Sequence, residues 1–251
     1  MPKKIEQENP RPRQDQLASE LLAEISRTLE ANAAMVKLLL NAGKAAPAGV
    51  VDDFALNAVA NSTDLSASTG SDETLRALAR TQGLGEPMER LIKLRQERYP
   101  DTRPRYWAIV DFDRPSTKPR MVVFDTAENS AVSYLCAHGK GSEGAKDDGM
   151  AEVFSNKKKS NATSLGIYRC AETYEGKNGY SLRLDGLEGS NDNARARHIV
   201  VHGAPYVSED FIKEHGRIGR SEGCPALDHR YARTVIDQLK LGSLLLHWKT
   251  P

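Results

Sequence analysis

The apolar positions change their spacing once along this chain, near residue 105. Before that point the recurrence is helical. Leu17, Leu21, Ile25 and Leu29 recur every four residues, and Leu22, Val36 and Leu39–Leu40 widen the stripe, which predicts a helix over 16–41. A shorter helix is read over 50–60 and a loop over 61–71, NSTDLSASTGS. Residues 72–81 form the next helix, capped by Ser71 or Asp72. Gly83 and Gly85 break it, and Pro87 opens another that runs to about Arg98. The polar, proline-rich start over 1–15 reads as disordered.

From Arg105 onward the apolar runs are short and strand-like. Residues 106–112, 120–125 and 131–138 predict three strands of a meander. Residues 139–163 form a long polar loop, and loops of this length without an apolar period are usually functional or mobile. Strands over 165–174 and 180–184 make a hairpin across Asn178–Gly179. After the polar loop 189–197, a strand over 198–202 delivers His202 to its end. Ser208 caps a helix over 209–215, stopped by Gly216. Asp228 caps a final helix with Ala232, Val235, Ile236 and Leu239 on one face. Gly242 ends it and 243–248 returns as a strand. The expected fold class is α+β: a mainly β domain over 101–251 with short helices, preceded by a helical N-terminal region over 1–100.

Composition narrows the function classes. The 251 residues are 39% hydrophobic and 27% charged, ordinary for a globular protein. The net charge of +1 provides no global field for nucleic acid or an acidic membrane, and Lys157–Lys159 reads as a solvated loop. No apolar run approaches membrane-spanning length. The start, MPKKIEQENPRPRQDQ, has charge but no apolar stretch behind it, unlike a secretory signal peptide. Cys136, Cys170 and Cys224 do not make a disulfide framework. Cys136 and Cys170 fall in strands and read as buried thiols; a bridge between them would leave Cys224 free. No Cys/His cluster has zinc-ligand spacing and no loop has the phosphate-cradling pattern, so neither a metal nor an organic cofactor is invoked.

The candidate chemistry lies in 202–227, HGAPYVSEDFIKEHGRIGRSEGCPAL. Thiol catalysis needs a thiolate, a base to form it and donors for the oxyanion that follows. Cys224 would be the nucleophile and His202 the base, while Gly223 lets the chain bend so that nearby amides converge. On those residues alone, an inert buried cysteine and a structural histidine are the better reading.

The wider pattern changes this. Upstream stand A-H-G-K-G (137–141), F-S-N-K (154–157), S-L-G-I-Y (164–168), E-T-Y-x-G-K-x-G-Y-S-L-R-L-D-G-L-E (172–188) and N-D-N-A (191–194). Then come H-G-A-x-Y-V-S and G-R-x-G-R-S-x-G-C-P-A. In this order, from about Trp107 to Trp248, the chain resembles the murein L,D-transpeptidase catalytic-domain family of YkuD-like cysteine transpeptidases. The resemblance implies a β-sandwich or meander with short helices. It also implies attack by Cys224 on a tetrapeptide stem of peptidoglycan, at the carbonyl of the third residue. D-alanine leaves, and an amine or water resolves the thioester. It further implies His202 as base, amides of Gly223 and Cys224 as oxyanion donors, and a carbonyl near Gly203 orienting the imidazole. Ser221, Gly203, Arg217, Arg220 and Tyr206 become substrate-side residues. Ser221 is equally readable as ordering the loop, and Arg217 and Arg220 as surface charges. The commoner motif carries arginine two residues after the cysteine; here that position is Ala226, which leaves Arg217 or Arg220 to stand in. The partners implied are the donor stem and an amine acceptor. The location implied is the periplasm or cell envelope, reached through a removed leader or another export route. His138 is expected to make a structural hydrogen bond, and Asn191 and Asn193 to be turn residues, with peptide binding as the other reading of each asparagine.

Overall fold

A computed structural model describes residues 72–100, 105–240 and 242–251. The helices read over 16–41 and 50–60, the start over 1–15 and the loop over 61–71 lie outside the described residues. Two helices come first, α1 (72–81) and α2 (Gly85–Arg98). Eight strands follow: β1 (Tyr106–Asp111), β2 (Met121–Asp125), β3 (Ser130–Tyr134), β4 (Gly166–Gly176), β5 (Gly179–Gly186), β6 (Val200–Ala204), β7 (Ala226–Asp228) and β8 (Leu244–Trp248). Helix α3 (Glu209–His215) lies between β6 and β7, and α4 (His229–Leu239) between β7 and β8.

The strands form one sheet in the order β3-β2-β1-β8-β4-β5-β6-β7. Most neighbours run antiparallel; β1–β8 and β6–β7 are parallel. The sheet curls until its two ends meet. Past β3 the chain leaves β2, so that Cys136 bridges Leu227 and the Ala137 amide donates to the Ala226 carbonyl at 2.8 Å. The third strand therefore stops at Tyr134 rather than near His138, because the backbone groups that follow pair with β7.

Period-two alternation sorts the central strands into two cores. Trp107, Ile109, Val122, Phe124, Ile167, Leu244 and Leu246 face one way and pack with Leu75, Ala79, Met88, Leu91 and Ile92 of α1 and α2. Ala108, Val110, Met121, Val123, Tyr168 and Leu245 face the other, with Ala232, Val235, Ile236 and Leu239 of α4. Both faces of β1, β2 and β8 are thus covered, which explains their near-continuous apolar runs. Helices α1 and α2 share a core with the sheet. Arg95 pairs there with Asp72, both buried, and Gln96 Nε2 donates to the same carboxylate at 2.9 Å.

The α3 prediction matches Glu209–His215, with Ser208 Oγ accepting from the Phe211 amide at 3.1 Å and Gly216 left-handed at φ 75°. Asp228 caps α4 by accepting from the Arg230 amide at 2.8 Å, but the helix ends at Leu239, before Gly242. The hairpin β4–β5 carries a register shift between Cys170 and Thr173, and β7 has three residues; neither was legible in the pattern. Cys136, Cys170 and Cys224 are all free thiols. No helix among the described residues is long and apolar enough to cross a membrane.

Candidate active site

The turn that carries Cys224 is held from three sides. On its own segment, Ser221 Oγ donates to the Cys224 carbonyl at 2.6 Å and accepts from the Gly223 amide at 3.1 Å. From the long loop, Gly139 bridges Ser221, the Lys140 amide donates to the Ser221 carbonyl at 2.8 Å, and Thr163 Oγ1 donates to the Gly223 carbonyl at 3.5 Å. From the segment before β6, the His198 carbonyl receives the Cys224 thiol at 3.6 Å. Gly223 has φ 118°, a conformation L side chains rarely adopt. A Cβ there would also lie 2.7 Å from the Ala162 carbonyl oxygen. Only glycine suits this position.

His202 lies on β6 opposite Ala226 of β7, two residues beyond Cys224. Its Nδ1 is 2.9 Å from the Gly203 carbonyl, which can only accept, so Nδ1 carries a proton and Nε2 keeps a lone pair when the ring is neutral. Burial holds the imidazole pKa below its ordinary value, against the opposing pull of the Gly203 carbonyl. Burial likewise raises the Cys224 thiol, opposed by the Val200 amide and by Arg197. Both shifts favour the neutral form of the group, thiol and imidazole. Among the described residues no hydrogen bond joins the two.

The remaining sequence-predicted residues scatter around this turn. Ser221 braces the turn from within. Gly203 is small because His229 approaches it: a Cβ would lie 2.5 Å from His229 Nδ1. Arg217 and Arg220 are committed to acids of the long loop. Arg217 Nη2 donates to Asp147 at 3.1 Å, and Arg220 binds Asp147 and reaches Glu143 at 3.2 Å. Tyr206 packs beside Ala137, Ala204, Val207 and Ile218, with burial pushing its phenol up to about 12. Ala226 is fully buried in β7. The Gly223 amide is taken by Ser221 Oγ, whereas the Cys224 amide has no acceptor among the described residues.

His138 is structural. Arg120 Nη2 donates to its Nδ1 at 2.7 Å, which places the proton on Nε2 facing Glu143 at 2.8 Å. Burial, with Arg120 and Arg220 nearby, lowers its pKa to about 3. Asn191 ties Ile167 to Glu188, and Asn193 binds the Asn156 backbone, so both serve the turns around β4.

Arg197 is the residue that the pattern left unread. It sits in the run ARAR beside Arg195, and nothing in the sequence separates the two. The structure does. Arg195 is exposed and paired with Asp185 and Glu172. Arg197 is half-buried against the Cys224 turn: a Gly223 Cβ would lie 3.1 Å from its Nη2.

The L,D-transpeptidase catalytic domain family matches residues 80–248, more than half of the chain. No curated protein matches it. Among solved structures, an L,D-transpeptidase from Mycobacterium smegmatis is similar at 13% identity and TM-score 0.35, over 58% of this chain and 59% of that one. One from Mycobacterium tuberculosis H37Rv is similar at 16% identity and TM-score 0.34, over 58% of each. The chain thus spans less than two thirds of the length of these structures. On the family match across 80–248, the chain belongs to the L,D-transpeptidase catalytic domain family.

Proposed function

We propose that the protein is a cysteine L,D-transpeptidase acting in the cell envelope on tetrapeptide stems of peptidoglycan. Cys224 Sγ attacks the carbonyl of the third stem residue. His202 Nε2 takes the thiol proton as the C–S bond forms and returns it to the departing D-alanine nitrogen as the C–N bond breaks. The stem is left as a thioester. An amine acceptor then attacks it, restoring the thiol and forming a crosslink or exchange product. The Cys224 amide donates to the oxyanion.

The observation that carries this reading is the polarity of His202. The Gly203 carbonyl fixes the proton on Nδ1, so the one free ring atom is a proton acceptor, on the strand adjoining the Cys224 segment. The thiol rests on the His198 carbonyl at 3.6 Å, a weak contact that a change of χ1 releases. Catalytic hydrogen bonds commonly tighten only in the substrate complex.

Mass spectrometry of disaccharide-tetrapeptide incubated with the protein tests the proposal, with Cys224→Ala as control. Loss of D-alanine with dimers, absent in the variant, is the expected result. Loss without dimers assigns L,D-carboxypeptidase activity, and incorporation of added D-methionine assigns exchange. No change in any arm, with folded protein, overturns the reading in favour of a non-catalytic wall-binding module.

A further inference from the structure

Arg197 donates four hydrogen bonds, all to neutral oxygens. Nη1 binds the Ser155 carbonyl at 2.8 Å and Ser164 Oγ at 3.3 Å. Nη2 binds Ser160 Oγ at 3.3 Å and the Ala162 carbonyl. No carboxylate among the described residues ion-pairs with it; the ionisable groups that act on it are Tyr168 and Cys224. Half-burying a guanidinium without an anion is costly, and such charges are normally paired. Both Nη groups are already satisfied, so the fork that would grip a substrate carboxylate is occupied.

The same guanidinium lies against the residue that precedes the nucleophile. An ideal Gly223 Cβ would lie 3.1 Å from Arg197 Nη2 and 2.7 Å from the Ala162 carbonyl oxygen that this nitrogen binds. On the other side, His198 follows Arg197 directly, holds a left-handed backbone at φ 56°, and presents its carbonyl to the Cys224 thiol. Arg197 is thereby tied to the Cys224 turn from both ends of its own residue.

We infer that Arg197 is a positioning residue for the nucleophile: its unpaired positive charge, clamped against the Gly223–Cys224 turn, is the built-in counter-charge for the Cys224 thiolate. This rests on the reading of Cys224 as nucleophile. It gives Arg197 a purpose for a charge that four neutral acceptors do not require. It also separates Arg197 from Arg217 and Arg220, whose charges Asp147 and Glu143 already answer. Other groups facing the thiol or its base act in both directions. Lys177, on the β4–β5 turn, favours the thiolate. Glu222 opposes it but is exposed and paired with Lys140, while Tyr168 and Tyr206 are neutral phenols kept so by burial. His202 is held neutral, and His229 stands beyond it.

The test is the pH profile of Cys224 alkylation by iodoacetamide, read by peptide mass spectrometry, in wild type, Arg197→Gln and Arg197→Lys. Cys136 and Cys170 are fully buried, so the reactive thiol is identified by site. Arg197→Gln is expected to move the profile up by about one pH unit, slowing alkylation near neutrality about tenfold. Arg197→Lys keeps the charge while losing most of the clamp, and is expected to stay within about threefold of wild type. An unchanged profile in folded Arg197→Gln overturns the inference. So does an Arg197→Lys profile as displaced as that of Arg197→Gln, since the clamp and not the charge would then matter. Should Arg197→Gln not fold, the Lys variant decides alone: a retained profile supports the counter-charge, a displaced one overturns it. Because alkylation needs no peptidoglycan, a failed stem-peptide assay and a failed charge effect remain distinct results.

Discussion

Gly139 has an ordinary backbone, φ −72°, yet it leaves no room for a side chain against the backbone of the Cys224 turn. A methyl at this position would lie 2.2 Å from the Asn161 carbonyl oxygen and 2.8 Å from both Cα and N of Gly223. All three obstacles are backbone atoms, so no side chain can swing aside. Ordinary contact needs roughly 1 Å more room on either side, and close-packed interiors do not supply it. Relief by moving Asn161 loosens the loop that holds the turn. Relief by moving Gly223 carries Cys224 with it. Overpacking of this kind costs about 1–3 kcal/mol, and a 1 Å displacement of a reacting group costs on the order of a hundredfold in rate. Gly139→Ala is therefore expected to lower stability moderately and Cys224 reactivity severely. Urea unfolding gives the first, and alkylation rate together with D-alanine release gives the second. Gly216→Ala is the control: φ 75° strains an alanine by about 1 kcal/mol, but beyond its chain neighbours no atom lies within 4 Å of the added carbon. It is expected to lose stability and keep reactivity. Wild-type reactivity in Gly139→Ala, or equal losses of reactivity in the two variants, would refute the packing argument.

Two further predictions concern stability. Arg95→Met leaves the Asp72 carboxylate buried without its guanidinium, which costs on the order of 3–5 kcal/mol in urea unfolding, and the double change Arg95→Met with Asp72→Asn is expected to recover part of that loss. Burial depresses His138 to about 3 and His247 to about 4, so between pH 6.5 and those values the unfolded chain binds protons that the folded one refuses. Stability is then full above pH 6.5 and falls as pH drops through this window. Replacing His247 with Gln is expected to make the melting temperature fall less steeply over pH 6.5–4, and an unchanged slope would show that the ring is not buried neutral.

Local chemistry was legible wherever one residue type had one physical use. Ser208 and Asp228 accept hydrogen bonds from the amides that open α3 and α4, and Gly216 takes the left-handed position that stops α3. The short apolar runs over 106–112 and 120–125 announced the strands β1 and β2. The candidate site residues were legible as a motif: Cys224, His202 and Gly223 stand in one segment, and the structure sets the Gly203 carbonyl 2.9 Å from His202 Nδ1. Strand lengths were less legible. β3 stops at Tyr134 because the sheet curls and brings Cys136 against Leu227, a pairing between residues 91 positions apart that no local window contains, and the three residues of β7 form a strand because they pair in parallel with β6.

Sequence by itself determined what is set by neighbours along the chain: caps, turns, the apolar face of α4 and the bend at Gly223. Tertiary structure alone decided which charges have partners. Arg195 and Arg197 precede the segment 202–227 and Arg217 and Arg220 lie within it, and in the sequence these four look alike. Folding answers Arg195, Arg217 and Arg220 with carboxylates carried from other parts of the chain, and sets Arg197 against the Cys224 turn among neutral oxygens. The physical reason is that the strength of an electrostatic interaction depends on separation and burial, which are properties of the packed fold and not of position along the chain.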